Sequence, residues 1–421
     1  TSEIKEALEK DPVLLAAMSL IAGGALDARA MLELDRAAEQ RARAAAKYAG
    51  TRPKLESQGQ VMEAIARPIP RQDTEAVPRA SSPDRSPLTL AQGISAALAE
   101  ALEQYPEAVI FGEDVAKKGG VYGVTKGLLD RFHPARVFNT LLDEQTILGI
   151  ALGLATLGLL PIPEIQYLAF LHNAEDQLRA EAATLPFFSN RAYDNPMLVR
   201  IAGLAYQKGF GGHFHNDNSL AVLRDIPGLI VFVPARADDA GELYRAALTL
   251  ARQHRRVMVA VEPIALYHVR DLHEPKDGAW MAADTGRSAP LFRARVYQAD
   301  ASDLLIATYG NGLYLSLRAA RNLARDRGIR ARVLDLRWLA PLPLEDVLRH
   351  ATETGRLLVV DECRAEGNIS EALAAAVVDA GAEIRFRRVT SAASFIPLGE
   401  AAELVLASES EIFDAACGLV G

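Results

Sequence analysis

The stretch NTLLDEQTILGIALGLATLGLLPIPEIQYLAF, residues 139–170, decides the reading of the chain. It opens on a short polar turn holding two adjacent carboxylates, Asp143 and Glu144. It then runs into an apolar segment spaced by Gly149, Gly153 and Gly158, and ends on aromatics. Val137 and Phe138 read as the end of a buried strand, and Thr140 or Asp143 stands where a side chain caps the helix that follows. The run Ile147 to Leu160 is apolar on nearly all sides, so a buried helix is expected, with its glycines letting another backbone approach. A carboxylate in the first turn of such a helix lies at the edge of a buried site, where acids are placed for proton exchange. Glu144 is therefore the candidate catalytic residue. The competing reading is an acid that merely complements the helix N-terminus.

Outward from this stretch, helical and strand patterns alternate. Apolar runs at Ala108–Phe111, Val137–Asn139, Ile162–Ile165, Met197–Ile201, Leu229–Val233 and Val257–Val261 predict strands. Helices are expected over 89–104, 145–159, 172–185 and 236–253. Continuous apolar strands separated by helices imply a mostly parallel sheet covered on both faces, an α/β fold. Ligands in such folds bind beyond the carboxyl ends of the strands. Three features fall there: Glu113-Asp114, Asp143-Glu144, and Glu164 through Phe170.

A connection over 271–300 leads to a second α/β layer over 301–421. Its expected strands are Leu304–Thr308, Ala331–Leu336, Leu357–Val360 and Ile384–Val389, with helices near 311–327, 343–353, 368–380 and 409–418. Asp361-Glu362-Cys363 follows one of these strands and is read as structural. Within the first layer, between the strands Met197–Ile201 and Leu229–Val233, lies GFGGHFHNDNS, residues 209–219, a glycine-rich loop carrying His213 and His215, imidazoles that titrate near neutral pH. The His-x-His spacing secures no third ligand, so no metal site is expected in this chain.

The first 66 residues read as helical. Asp11-Pro12 starts a helix, Gly23-Gly24 breaks it, and Asp27 to Tyr48 has helical spacing. RPIPRQDTEAVPRASSPDRSP, residues 67–87, has linker composition. With 421 residues, half of them hydrophobic, the chain can bury more than one core. A net charge of −8 and no long basic run argue against a nucleic-acid surface. Cys363 and Cys417, the two cysteines, cannot form a disulfide framework, and a reducing cytoplasm is the simplest expected home. No stretch of eighteen uninterrupted apolar residues suggests a membrane span, and no signal-peptide pattern or short-period repeat is present.

The series GEDVAKKGGVYGVTKGL (112–128), TLLDEQTILGIALG, PIPEIQYLAF and IPGLIVFVPARADDAGEL (226–243) resembles the β subunit of the thiamine-diphosphate-dependent 2-oxoacid dehydrogenases. The resemblance runs from about Leu88 to the C-terminus. It implies a pyrimidine-binding domain over 88–270 and a transketolase C-terminal-like domain over 301–421, two mostly parallel-sheet α/β domains behind an N-terminal helical segment. Residue by residue, it implies that Glu144 hydrogen-bonds the aminopyrimidine ring and that Phe170 packs on its face. It further implies that Glu113 is a supporting acid and Tyr167 a neighbouring aromatic, and that His215, with His213 nearby, meets the substrate. The chemistry implied is decarboxylation of a 2-oxoacid with transfer of the acyl group to a lipoyl group of a dihydrolipoyl acyltransferase, most of it supplied by the cofactor. The polar motif after His215 departs from the family's: here it is Asn216-Asp217-Asn218.

The segment DPVLLAAMSLIAGGALDARAMLELDRAAEQRARAAAKYA resembles the C-terminal tail of the α subunit of the same enzymes. The expectation is an α–β fusion of which this is the later part, with residues 1–66 the α-like tail. The chain has no Gly-Asp-Gly motif, so magnesium and the diphosphate are expected to be held by an α subunit or an upstream fused half. This chain alone is then expected to be inactive, and pairing of two copies gives an α2β2-like assembly. A full transketolase would carry its own diphosphate domain. An acetoin-type enzyme and a non-catalytic assembly homologue remain compatible with the motifs, and the oxoacid is not named by them.

Overall fold

Gly112 ends one strand of a seven-stranded sheet directly against its neighbour at Glu164, and the rest of the fold is built out from that sheet. The structure, a computed structural model, describes residues 2–66, 69 and 86–421, so the stretch read as a linker lies mostly outside the described residues. The chain divides into two compact units, one ending at Val61 and one from Met62 to Gly421.

The first unit is helical: α1 (Ser2–Glu9), α2 (Pro12–Ala22), α3 (Ala28–Gly50) and the start of α4 (Gln58–Ala66). Asp11 caps α2 by accepting the Val13 and Leu14 N–H groups at 2.7 and 3.2 Å, with Pro12 at the first helical position. Asp27 caps α3 through the Ala30 N–H at 2.7 Å.

The second unit begins its sheets after α5 (Leu90–Gln104), which Thr89 and Gln92 close with a capping box. Next come β1 (Ala108–Gly112), α6 (Leu128–Arg131), β2 (Val137–Asn139), α7 (Glu144–Thr156), β3 (Leu160–Ile165), α8 (Leu168–Leu171) and α9 (Leu185–Phe188). They are followed by β4 (Met197–Gly203), α10 (Ala221–Arg224), β5 (Ile230–Phe232), α11 (Ala237–His254) and β6 (Val257–Pro263). The C-terminal part adds β7 (Arg295–Tyr297), β8 (Leu304–Thr308), α12 (Asn311–Arg327), β9 (Ala331–Asp335), β10 (Trp338–Ala340), α13 (Leu344–Thr354), β11 (Arg356–Arg364), α14 (Ile369–Asp379), β12 (Arg385–Ser391) and α15 (Glu409–Val420).

Two sheets result, ordered β10-β5-β6-β4-β3-β1-β2 and β12-β11-β8-β9-β7. All pairings are parallel except two at the edges, β10 with β5 and β7 with β9. The α/β, mostly parallel reading therefore holds. The sequence pattern did not show that β10, from the later part of the chain, completes the first sheet. Apolar cores cover both faces: Ile94, Leu98 and Tyr244 of α5 and α11 on one, Ile147, Leu148 and Ala151 of α7 on the other.

The carboxyl ends of β1, β2 and β3 are held level by register, Gly112 opposite both Asn139 and Glu164. Gly112 has φ 154°, and a Cβ there would lie 2.6 Å from the Glu164 carbonyl oxygen, so no other residue fits without moving β3.

Two expectations need correction. Helix α7 is not buried on all sides: Ile147, Leu148, Ala151 and Ala155 face the sheet, but nothing stands within 4 Å of a Cβ built at Gly149 or Gly153, and Leu157 just beyond is 81% exposed. The single helix expected over 172–185 is broken into a loop, a π-helical turn over Gln177–Ala182 and α9. His172 and Asn173, at the break, turn their side chains to partners across the site instead of continuing the apolar period.

Candidate active site

Glu144 is the first residue of α7 and is 7% exposed. A carboxylate this buried needs a hydrogen-bonding partner, and Asn173 Nδ2 donates to its Oε2 at 3.1 Å. Among the described residues no group donates to its Oε1. Asn173 is itself held, its carbonyl accepting from Gln145 Nε2 at 2.9 Å. Asp143 occupies the N-cap position but accepts from the Thr146 hydroxyl instead of a backbone N–H. Glu113, the first residue past β1, is pushed above the ordinary carboxyl range by burial and by the charges of Asp114 and Glu144.

The aromatics gather around His215. Tyr167 meets its ring edge to face with centroids 4.4 Å apart, Phe210 lies at 5.6 Å and Phe170 at 6.1 Å, while Tyr167 and Phe170 are 5.3 Å from each other. The backbone of His215 is fixed as well. Gln207 Nε2 donates to its carbonyl at 2.5 Å, and the Gln207 amide oxygen accepts from the Tyr122 hydroxyl at 2.7 Å. Burial and the Tyr167 hydroxyl, 3.3 Å away, push Tyr122 far above the ordinary phenol range, so it remains a donor.

Tyr122, Glu113, Glu144, Tyr167, Phe170 and His215 follow the carboxyl ends of β1, β2, β3 and β4, the edge expected for a ligand site. His213 does not join them. It is exposed and packs at a tilt against Phe214, with centroids 4.1 Å apart, and Phe395, at 5.7 Å. Among the described residues no group of three or more His, Cys, Asp or Glu side chains is placed to hold a metal ion, and no helix is long and apolar enough to cross a membrane.

Residues 86–267 match the family described as transketolase, pyrimidine binding domain, and residues 293–408 the transketolase C-terminal domain. A 2-oxoisovalerate dehydrogenase subunit beta of Bacillus subtilis strain 168 is 32% identical over 293 residues, covering 69% of this chain and 84% of the relative. The chain belongs to the family of 2-oxoacid dehydrogenase E1 β subunits. Other members similar to it are a 3-methyl-2-oxobutanoate dehydrogenase subunit beta of Mycobacterium tuberculosis, 33% identical over 70% of this chain and 80% of that one, and a pyruvate dehydrogenase E1 component subunit beta of Staphylococcus epidermidis, 30% identical over 78% and 97%. A solved split-gene transketolase, described as an inactive beta4 tetramer, superposes with a TM-score of 0.58 at 22% identity, covering 79% of this chain and 98% of that one; the likeness bears on the fold alone. The E1 β family is thiamine-diphosphate-dependent.

In this E1 β chain the site rests on a buried ionic cluster. Arg200 on β4, 1% exposed, donates to Glu262 on β6 at 2.8 and 2.9 Å and to Glu164 on β3 at 2.5 Å. One guanidinium between two carboxylates leaves an excess of negative charge, and burial pushes Glu164 upward. Tyr244 and Tyr267 hydroxyls both donate to Glu262. The Tyr267 ring lies 5.6 Å from Tyr122, which connects this cluster to the Tyr122–Gln207 support of His215.

Asn216, Asp217 and Asn218, the departure from the family motif, have structural partners. Asn216 Nδ2 closes the loop onto the Phe210 and Gly212 carbonyls, and Asn218 Nδ2 donates to the Glu362 carbonyl at 2.8 Å. Asp217 accepts from Ser219 and lies 3.0 Å from His172 Nε2. Asn173 and the role of Tyr122 are not legible in the sequence because each acts on a residue far along the chain, and Gln207, eight residues before His215, has no local pattern that marks it. The only local sign was the polar pair His172-Asn173 directly after an apolar aromatic run.

Proposed function

We propose that this chain supplies the half of a thiamine diphosphate site that holds the aminopyrimidine ring, within the decarboxylating first component of a 2-oxoacid dehydrogenase. The carrying observation is Glu144, buried and fixed at one oxygen by Asn173, with no donor to the other among the described residues, at the same sheet edge as the Phe170–His215 aromatic cluster. The donor set fits that ring: a carboxyl oxygen can share a proton with a ring nitrogen, and the half-buried Phe170 can pack on a flat heterocycle. Bound thiamine diphosphate supplies the nucleophilic carbon on which a 2-oxoacid loses carbon dioxide. Glu144 holds the proton at the ring nitrogen, Glu113 shares its environment, and Phe170, backed by Tyr167, orients the ring plane. His215, held by Gln207 and three aromatic rings, meets the substrate carboxylate and carries a proton in this reading. His213, exposed and packed against Phe214 and Phe395 outside this cluster, is left out of the proposed site.

In the same reading, magnesium and the diphosphate are held by an α subunit or an upstream fused half, of which the helical residues 2–66 are the tail. Two copies pair in an α2β2-like assembly, and the acyl group passes to a lipoyl group of an acyltransferase. The test is decarboxylation of pyruvate and of 3-methyl-2-oxobutanoate by the chain assembled with its diphosphate-binding half, with an artificial electron acceptor. Glu144→Gln is expected to reduce turnover by roughly 100-fold or more, and activity near wild type in that variant overturns the reading.

A further inference from the structure

Two consecutive side chains just past Phe170 reach to opposite walls of the site. Asn173 Nδ2 holds Glu144 Oε2 at 3.1 Å. His172 Nε2 lies 3.0 Å from Asp217 Oδ2, two residues beyond His215. Asp217 is no loose surface acid. Its side chain is 13% exposed, it accepts the Ser219 N–H and hydroxyl at 3.2 and 2.6 Å, and its backbone bridges to Leu204 at the end of β4. Arg364, from the second sheet, fixes the same loop by donating to Asn218 Oδ1 at 2.9 Å and Ser219 Oγ at 2.6 Å.

We propose that His172 and Asn173 are positioning residues that clamp the two walls together, Asn173 fixing the Glu144 carboxylate and the His172–Asp217 pair fixing the loop that carries His215. The inference rests on the proposed roles of Glu144 and His215. Phe170 sits on the same short segment, so the clamp sets three side chains from three strand ends against one another. An exposed ion pair is usually worth little. Here one partner is mostly enclosed and the two residues lie 45 apart in sequence, so the pair closes a long loop instead of decorating a helix.

The clamp is pH-sensitive. The groups that face His172 are Asp217 across the site, Glu175 on its own segment and Arg364 from the second sheet. The hydrogen bond to Asp217 prevails, raising His172 above the ordinary imidazole range and lowering Asp217 below the ordinary carboxyl range. The charged pair is complete between the two and is lost when His172 releases its proton at higher pH.

Amide hydrogen exchange followed by mass spectrometry on the assembled enzyme tests this without reading activity. His172→Ala is expected to speed exchange across 209–219 by about ten-fold, the change that one lost hydrogen bond of ordinary strength brings. His172→Gln, which keeps an N–H donor but does not titrate, should restore protection and remove its decline at high pH. Asn173→Ala should leave 209–219 protected while lowering kcat about ten-fold with KM nearly unchanged, since it acts on the acid alone. Unchanged exchange in 209–219 on His172→Ala overturns the clamp. If Glu144→Gln keeps its activity, the catalytic reading falls, and the exchange result still decides whether the two walls are coupled.

Discussion

Tyr167 and His215 meet edge to face with ring centroids 4.4 Å apart, a contact between the end of β3 and a loop that follows β4. The tyrosine ring limits how the imidazole can turn, while the hydroxyl, which among the described residues meets only Tyr122, adds little to that contact. Aromatic pairs of this kind contribute about 0.5–1.5 kcal/mol beyond burial. Tyr167→Phe is therefore expected to retain turnover within about three-fold, and Tyr167→Leu to lower kcat/KM about ten-fold by freeing His215. Steady-state kinetics of the assembled enzyme distinguish the two, and equal losses in both variants would assign the effect to the hydroxyl.

Arg200 bridges β3, β4 and β6 from a position closed to solvent. Removing one partner of a buried ionic cluster leaves uncompensated charge and costs about 3–5 kcal/mol. Arg200→Met strands Glu164 and Glu262 together and should lower the melting temperature by several degrees. Arg200→Lys is not expected to rescue it, because an ammonium cannot present the planar fork that meets both carboxylates. Scanning calorimetry of the two variants beside wild type checks both statements.

Much of this was legible because the chain states it locally. The Asp11-Pro12 start, the helical spacing from Asp27 and the apolar runs of β1, β4, β6 and β8 each fix an element within a few residues of its observed ends. Glu144 could be singled out because a first-turn carboxylate ahead of an apolar helix is a local pattern, while the role proposed for it came from the resemblance to E1 β subunits. The three-residue strands β7 and β10 could not, since each exists only through antiparallel pairing with a distant strand. The open face of α7 was misread for a related reason. An apolar period shows that a face can be buried, but says nothing of whether its own chain covers it. Asn173 and the His172–Asp217 pair are invisible to pattern reading, because their partners lie 29 and 45 residues away.

Gly209 adopts φ 65°, and a Cβ there would lie 2.2 Å from the Gly399 carbonyl oxygen and 2.3 Å from its nitrogen. Both offending atoms are backbone, so neither can swing aside. This contact seats the His215 loop against residues 396–399, with the Gly399 N–H donating to the Gly209 carbonyl at 3.2 Å. Gly209→Ala combines a disfavoured backbone conformation with overpacking of about 1–3 kcal/mol. It is expected to unseat the loop, lowering kcat in the assembled enzyme and speeding proteolysis near 207–215. A variant with wild-type kinetics and wild-type cleavage would show that the seat is dispensable.

Glu362 is fully enclosed at the N-terminus of α12, where its Oε1 accepts the Asn311 N–H at 3.0 Å and its Oε2 accepts Asn311 Nδ2 at 2.8 Å. Burial outweighs these hydrogen bonds and pushes its carboxyl up to about 8. The unfolded chain releases that proton near pH 4.3, so between about pH 4.3 and 8 the folded protein binds the extra proton. Stability from this group is therefore highest in acid, falls as pH rises through that interval, and levels off above it, the full span being on the order of 5 kcal/mol. Glu362→Gln removes the titration and keeps the packing, its amide oxygen accepting from the Asn311 N–H while the Asn311 amide flips to accept from the new NH2. The variant is expected to melt close to wild type near pH 5 and several degrees above it near pH 8.5. Parallel melting curves for the two proteins across that range would mean that Glu362 is already ionised in the folded state, held by Asn311 and the helix N-terminus.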